Sequence, residues 1–346
     1  MPHEPTACRT AVLAMPCVGT STVFGILDVM ASVGRDWEVL HGAEPRAPAF
    51  AAKLLSLDGK PYSDVNGRVI TPDGALCDIA QPDLVIVPDL HLDPSQPMPA
   101  EFDLMAAYVL DAHANGAIIT SVCSGSVLLA ATGLLDGLDA TTHWGFCDFM
   151  ARAFPDVQLR RERILVPAGE GHRVVTAGGA SAWGDLMLYL IGRFAGEQEA
   201  RHMAKLYLLQ PHTEGQLHYA SLIAGRQHED AVVAEAQIWA ADNYAVPKPV
   251  AAMAQRSGLT ERSLLRRFRS ATGQSPADYI QTLRIEEAKQ MLETTDTAIE
   301  DIAAEVGYSE PSSFRNAFKR HVGLSASAYR KKRLVNTMRF DDLGTV

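Results

Sequence analysis

A lone cysteine stands where an apolar run meets a group of small residues. Cys123 follows the run AIITSV (117–122) and precedes Ser124, Gly125 and Ser126. Such a run predicts a buried strand, and small residues directly after it allow a tight turn into a helix. A thiol at this turn faces a helix N-terminus, which would lower its pKa and favour the thiolate. Cys123 is therefore a candidate nucleophile or ligand contact; the alternative is a buried, inert cysteine.

A nucleophilic cysteine needs a base nearby or a depressed pKa. His143 is the candidate partner of Cys123 for that role. The alternative for His143 is a hydrogen-bonded structural residue beside Trp144.

A second kind of chemistry is indicated in the C-terminal third. Arg262, Arg266 and Arg269 recur at i, i+4 and i+7, so they share one exposed helix face. A stripe of guanidinium groups suits phosphate contact and readout of bases in the DNA major groove. A later helix offers similar chemistry, because arginine suits guanine and asparagine suits adenine; its candidate DNA-binding residues are Ser312, Ser313, Arg315, Asn316 and Lys319.

Two helix-turn-helix units must position these side chains. In the first, residues 250–258 and 261–270 form the two helices, with Gly258 in the turn and Thr260 as the N-cap. The second unit has helices at 298–307 and 312–320, with Ser309 as its predicted N-cap and Pro311 early in the helix. We call the second helix of each unit the reading helix. A longer helix, 278–293, joins the units.

An internal repeat supports this pairing of units. Phe268, Gly273, Ser275 and Tyr279 recur fifty residues later, in the same order, as Phe318, Gly323, Ser325 and Tyr329. With only two copies, the repeat favours a module of two similar halves over a solenoid.

The N-terminal two thirds alternate between short apolar runs and helix-like stretches. Strands are predicted at 10–15, 37–40, 84–87, 117–122 and 173–176. Helices are predicted at 102–115, 124–134, 182–194 and 195–210. Continuous apolar strands that alternate with helices predict an α/β fold with a mostly parallel sheet flanked by helices.

Composition and charge exclude several classes of protein. The 346 residues are 47% hydrophobic and 21% charged, which argues against long disorder, collagen and coiled-coil rods. The five cysteines form no C-x-x-C pair, and no segment is typical of a membrane span. We therefore expect a reducing, cytoplasmic setting without a metal or a cofactor.

The net charge of −10 argues mildly against nucleic acid until it is divided along the chain. Residues 247–333 hold 15 Lys+Arg against 10 Asp+Glu, a net +5, which leaves −15 for the remainder. A basic C-terminal domain is thus attached to an acidic body.

The cysteine turn and the block GLLDGLDATTHW (133–144) resemble the ThiJ/PfpI superfamily, which has a class I glutamine-amidotransferase-like fold. The resemblance covers about residues 10–195. It implies a pocket at the cysteine, with Thr22 where enzymes of the superfamily set an acid. Asp89 and Leu90 follow the strand VIVP, where a Gly-Gly pair is common. These departures from the family pattern argue against turnover. We therefore expect a ligand pocket without catalysis, formed by Thr22, Cys123, Ser124, His143 and Trp144.

The C-terminal region resembles the DNA-binding domain of the AraC/XylS family over about residues 229–333, through IAAEVGYSEPSSFRNAFKRHVG and SAYRKKR. The resemblance implies two reading helices about one DNA turn apart, roughly 34 Å, in successive major grooves. Lys319 and the run 330–333 are expected to contact phosphate; the alternative for the run is a solvated tail.

We therefore expect a transcriptional regulator that binds double-stranded DNA, responds to a small molecule or to thiol chemistry, and forms a homodimer. The alternatives are an active cysteine-dependent amidase, hydratase or isomerase fused to a DNA-binding domain, and an N-terminal scaffold for dimerisation alone. The predicted divisions are a sensor domain at 8–210, a connector at 211–228, a DNA-binding domain at 229–333 and a tail at 334–346.

Overall fold

The apolar runs of the N-terminal region form one seven-stranded sheet in the computed structural model, which describes residues 7–93, 96, 98–220 and 230–332. Its strands lie in the order β10-β11-β7-β6-β1-β2-β5, and every neighbouring pair is parallel except β10 with β11. The strands of the region are β1 (Cys8–Leu13), β2 (Phe50–Ser56), β3 (Tyr62–Ser63), β4 (Val69–Ile70), β5 (Gly74–Ala75), β6 (Leu84–Val87), β7 (Ile118–Val122), β8 (Asp139–Ala140), β9 (Gln158–Leu159), β10 (Leu165–Ala168) and β11 (Val174–Ala177).

Helices flank this sheet, which confirms the predicted α/β class. Helix α6 contacts both α1 and α7, and helix α3 contacts α4. Both groups of helices also pack against strands of the sheet. The helices of the region are α1 (Thr20–Ser32), α2 (Asp36–Leu40), α3 (Phe102–Ala114), α4 (Ser126–Ala131), α5 (Cys147–Ala153), α6 (Trp183–Phe194) and α7 (Glu197–Leu206).

One predicted strand is wrong. Residues 37–40 lie in the short helix α2, where Trp37 stacks on His202 of α7 with ring centroids 4.2 Å apart. Short apolar runs do not distinguish a strand from one turn of helix, and here packing on α7 decides. The strand beside β1 is instead β2, at Phe50–Ser56, which the sequence analysis missed.

The chain divides between Gln216 and Leu217 into two compact units. The second unit is all-helical over its described residues, which confirms the predicted class of the C-terminal region. Over the described residues of the chain, no helix combines the length and the apolar composition that a membrane crossing requires. The helices of the second unit are α8 (Ala231–Asn243), α9 (Pro249–Arg256), α10 (Glu261–Thr272), α11 (Pro276–Thr294), α12 (Ile299–Glu305), α13 (Pro311–Val322) and α14 (Ala326–Lys332).

The internal repeat of the sequence corresponds to two matching packing units. The ring of Phe268 lies 5.4 Å from that of Tyr279, and the ring of Phe318 lies 5.6 Å from that of Tyr329. Gly273 and Gly323 end α10 and α13 in the left-handed backbone conformation, at φ +77° and +81°. Glycine adopts this conformation without the steric cost of a Cβ, so both reading helices stop at equivalent points.

Helix α11 belongs to both cores. Its first half contributes Tyr279 and Ile280 to the core of the first helix-turn-helix unit. Its second half contributes Ile285, Ala288 and Leu292 to the core of the second. The predicted linking helix is therefore shared structure, and each unit depends on it for burial of its apolar face.

Helix α4 begins in direct contact with the end of β6. A Cβ on Gly125 would lie 2.3 Å from the carbonyl oxygen of Pro88 and 2.7 Å from that of Val87. Both oxygens belong to the backbone and cannot move aside as a flexible side chain would. Gly125 is therefore required for the chain to pass from β7 into α4 at this position.

We predict that Gly125→Ala destabilises the protein by about 1–3 kcal/mol, the usual cost of overpacking a core. The measurement is the unfolding transition of the full chain in a calorimeter.

Gly192→Ala is the matched control, because a Cβ at Gly192 of α6 meets its nearest atom, the Cβ of Ala200, at 3.9 Å. Alanine also favours a helix interior over glycine by about 1 kcal/mol, so this variant should be neutral or slightly more stable. Equal stability of the two variants would contradict the close approach at Gly125.

Candidate functional site

Cys123 lies at the turn that its sequence context predicts. It follows β7 directly and opens a single 3₁₀ turn, Cys123–Gly125, which leads into α4. Its φ is +57°, a left-handed conformation that costs a non-glycine residue about 1–3 kcal/mol. The side chain is 8% exposed. Hydrogen bonds from two hydroxyls to the Cys123 carbonyl, Ser126 Oγ at 3.0 Å and Thr142 Oγ1 at 3.2 Å, hold the strained turn.

Ser124 fixes the turn to the loop after β6. The Leu90 N–H donates to Ser124 Oγ at 2.9 Å, and the same hydroxyl donates to the Leu90 carbonyl oxygen. The Ser124 hydroxyl thus acts as both acceptor and donor to the backbone of Leu90. The structure places Ser124 beside Cys123, as predicted, with its hydroxyl engaged by protein.

The surroundings of Cys123 oppose ionisation of its thiol. Burial raises its pKa to about 11, which outweighs the hydrogen bonds from Ser124 that lower it, and the Asp89 carboxylate raises it further. The prediction that the turn lowers the thiol pKa is therefore wrong, because burial disfavours the charged thiolate. At neutral pH the thiol is protonated.

Asp89 is a site residue whose role the sequence analysis missed. It precedes Leu90, which is hydrogen-bonded to Ser124. The charge of Asp89 also acts to raise the pKa of His143. Its Oδ1 atom is buried and has no hydrogen-bond partner among the described residues. The departure from Gly-Gly after VIVP was visible in the sequence, but only the fold shows that the new carboxylate acts on both Cys123 and His143.

The other predicted pocket residues, His143, Trp144 and Thr22, differ in burial and in hydrogen bonding. His143 Nδ1 accepts a hydrogen bond from the Gly145 N–H at 3.1 Å, and burial lowers the pKa of its imidazole. Its ring lies 4.8 Å from that of Trp144, and both residues are half-buried. Thr22 is 1% exposed within α1. No hydrogen bond joins the Cys123 thiol to His143 within the described part of the chain. A pocket formed by these residues stays a prediction.

A cluster of possible metal ligands lies between α2 and α7. One donor atom from each of Glu38, Glu199 and His202 falls within 4.8 Å of the others. Arg46 forms ion pairs with both carboxylates, and Glu199 also accepts a hydrogen bond from the Gly34 N–H at 3.1 Å. Because Arg46 bridges both carboxylates, the cluster is explained as an ion-pair network that ties α7 to the chain around α2.

The first reading helix, α10, presents the predicted arginines. Arg262, Arg266 and Arg269 are exposed, while Leu264 and Phe268 on the opposite face are fully buried. Thr260 is the N-cap, as predicted, and its side chain accepts from the Ser263 N–H. None of the three arginines forms an ion pair with another described residue. Their guanidinium groups are therefore available to an anionic partner.

The second reading helix, α13, presents Ser312, Ser313, Arg315, Asn316 and Lys319, all exposed. Arg315 has one contact, Glu300 Oε1 at 3.3 Å, and both side chains are more than half exposed. Such a pair contributes little, so phosphate or a base can replace it. The predicted N-cap, Ser309, is wrong: the cap is Glu310, because Pro311 occupies the first helical position.

An ion pair that sequence reasoning missed supports α10. Asp230 caps α8 through the Val233 N–H at 3.0 Å, and its other oxygen accepts from Arg267 Nε at 2.6 Å. The pair borders an open groove on α10, lined by Asp230, Leu259, Ser263, Arg266, Arg267, Ser270 and Ala271. Asp before a helix suggests an N-cap, but no sequence pattern links it to an arginine 37 residues away.

The basic run at 330–333 is only partly described. Arg330 donates to the Thr297 carbonyl oxygen at 2.6 Å, so its side chain has a structural role. Lys331 and Lys332 end α14 and are exposed. Arg333 and the predicted tail at 334–346 lie outside the described residues, as does part of the predicted connector, 221–228.

Comparison with known proteins agrees with both halves of the chain. Residues 253–332 match the helix-turn-helix domain family, and residues 33–192 match the DJ-1/PfpI family. The HTH-type transcriptional regulator CdhR of Pseudomonas aeruginosa is 28% identical over 282 residues, which cover 81% of this chain and 82% of CdhR. The HTH-type transcriptional activator AarP of Providencia stuartii is 34% identical over 104 residues, 30% of this chain and 77% of AarP.

Among solved structures, an AraC family transcriptional regulator from Pseudomonas putida is 17% identical, covers 58% of this chain and 99% of its own, and has a TM-score of 0.48.

We predict that alkylation of Cys123 by iodoacetamide rises about tenfold per pH unit between about pH 7 and 9, as for any thiol below its pKa. The rate is measured on the Cys123 peptide by mass spectrometry, with the exposed Cys77 as internal reference. Asp89→Asn removes a charge that opposes the thiolate and should raise the rate about threefold, roughly half a pKa unit. A Cys123 rate that is already level at neutral pH would show an activated thiolate and contradict the assignment.

Proposed function

Because this chain belongs to the AraC/XylS family of transcriptional regulators and carries an N-terminal ThiJ/PfpI-like domain, we propose that α10 and α13 read an operator in its major grooves. We also propose that the N-terminal domain senses a small molecule without catalysing a reaction. The regulator binds DNA through its helix-turn-helix domain; the residues and the effector pocket are the proposal.

The observation that carries the DNA-binding proposal is the pair of reading helices with matching ends and exposed cationic faces. Both end at a left-handed glycine and bury their aromatic residues inward. On α10 we assign Arg262, Arg266 and Arg269 to DNA. On α13 we assign Ser312, Ser313, Arg315, Asn316 and Lys319.

The absence of turnover is inferred from the chemistry at the elbow, the turn at Cys123. A cysteine nucleophile needs a thiolate and donors for an oxyanion. The thiol here has a pKa of about 11, and the nearby carboxylate of Asp89 would repel an oxyanion. His143 Nδ1 is already hydrogen-bonded to the Gly145 N–H. These features favour a sensor over the rival, a cysteine-dependent amidase, hydratase or isomerase.

We further propose that residues 8–210 form the sensor and dimerisation domain, 211–228 the connector and 229–333 the DNA-binding domain. Within the connector, Gln216 is held against the N-terminal unit, because its Nε2 donates to the Thr142 carbonyl oxygen at 2.8 Å. A homodimer would raise the avidity for paired half-sites. We place the protein in the cytoplasm, where its DNA is.

Arg266→Ala and Arg315→Ala should each weaken operator binding by about 1–3 kcal/mol, because each removes a bidentate contact to a base. The measurement is fluorescence anisotropy on a duplex that the wild-type chain has selected from a random library. Lys319→Ala should weaken all sequences about equally and lower the salt dependence by about one charge.

Arg152→Ala is the matched control, since Arg152 is an exposed arginine on α5 of the N-terminal unit. It removes the same charge from the chain and should leave the affinity unchanged. Unaltered affinity and specificity in both the Arg266 and the Arg315 variants would exclude the assigned reading faces.

A further inference from the structure

The N-terminal unit contains a cavity that is separate from the residues predicted around Cys123. Its volume is about 500 Å³, which lies in the usual range for small-molecule sites, roughly 300–1,000 Å³. It opens at the carboxyl ends of β1 and β2, where open parallel sheets bind their ligands. It is lined by Ala14, Met15, Pro16, Ser56, Leu57, Asp58, Lys60, Pro61, Tyr62, Glu101 and Met105.

The walls of this cavity are largely apolar. Ala14, Met15 and Met105 are almost fully buried beneath it. Its charged lining consists of Asp58, Lys60 and Glu101. Lys60 Nζ lies 2.8 Å from Asp58 Oδ2, so these two charges compensate each other. The charge that remains is that of Glu101.

Glu101 occupies the N-cap position of α3. Its side chain makes no hydrogen bond to the first turn of the helix. It also forms no ion pair with any residue in the described ranges. The side chain is only partly exposed, so solvent screens its charge less than at the open surface. An unpaired carboxylate at the rim of an apolar cavity favours a cationic group.

Tyr62 supplies the second polar group. Its hydroxyl oxygen is buried and has no hydrogen-bond partner among the described residues. Burial raises the pKa of the phenol to about 12, so the hydroxyl keeps its proton at neutral pH and can both donate and accept. A buried hydroxyl without a partner is costly, and a ligand with an N–H group would satisfy it.

We propose that this cavity binds a small organic cation with an apolar body and at least one N–H donor, such as a primary ammonium. The carboxylate of Glu101 neutralises the cation, and the Tyr62 hydroxyl accepts a hydrogen bond from it. Met15 and Met105 contact the apolar part. This binding does not depend on the thiol of Cys123 or on the pocket proposed around it.

The test uses the full chain and three probes of similar size: n-butylammonium chloride, its isomer tetramethylammonium chloride, which has no N–H, and sodium butyrate. Titration calorimetry gives the dissociation constants, and thermal unfolding gives the ligand-induced shifts. Butylammonium should bind most tightly. Glu101→Gln should weaken it about tenfold, the effect of losing one charge-assisted hydrogen bond. Tyr62→Phe, which removes only the hydroxyl, should weaken it severalfold.

Glu44→Gln is the matched control, because it makes the same substitution at an exposed site outside the cavity lining. It should bind butylammonium like the wild type. The unfolding temperature of each variant without ligand shows whether that variant is folded. If Glu101→Gln does not fold, the binding affinity of Tyr62→Phe tests the proposal instead.

Several results would overturn the proposal. These are equal binding of tetramethylammonium, preference for butyrate, full binding by Glu101→Gln, or no binding of butylammonium by the wild type. Cys123→Ala separates the two sites. If it abolishes butylammonium binding while Glu101→Gln does not, the ligand lies at the elbow, which supports the sensor pocket proposed above and refutes this cavity.

Discussion

The placement of the two reading helices depends on Arg284, at the middle of α11. Its Nε donates to the Tyr244 carbonyl oxygen at 2.8 Å, and its guanidinium lies 5.4 Å from the centre of the Tyr308 ring. Tyr244 borders both cores, and Tyr308 precedes α13. Gly307 has φ +88°, and a Cβ there would lie 2.9 Å from the Arg284 guanidinium. One side chain thus fixes the end of α8 against the turn of the second unit, where α11 changes from one core to the other.

The N-terminal unit combines a strained cysteine turn with surroundings that oppose ionisation of the thiol. The turn at Cys123 retains its strained φ, its small neighbours and its close approach to β6. The nearby carboxylate of Asp89 and the burial of the thiol both oppose formation of a thiolate. The turn therefore holds a thiol that stays protonated at neutral pH, which is consistent with the sensor role proposed above.

The sequence predicted most where structure is determined locally. The helix-turn-helix units could be predicted because Thr260, Gly273 and Pro311 act within one or two turns of helix. The turn at Cys123 could be predicted because small residues directly follow an apolar strand. The roles of Asp89, Asp230 and Tyr62 were not, since each depends on residues distant in the chain or on burial. The same applies to residues 37–40, whose helix is decided by packing against α7.

The charge division of the chain also has a structural counterpart. In the N-terminal unit, Asp89 and Glu101 hold carboxylates without hydrogen-bonded or ionic partners among the described residues, both near the carboxyl edge of the sheet. In the C-terminal unit, the arginines of α10 have no acidic partner except where Asp230 binds Arg267. Unpaired carboxylates at the sheet edge would attract cations and repel phosphate, whereas the exposed arginines of α10 would attract phosphate. The charges of the two units thus favour partners of opposite sign.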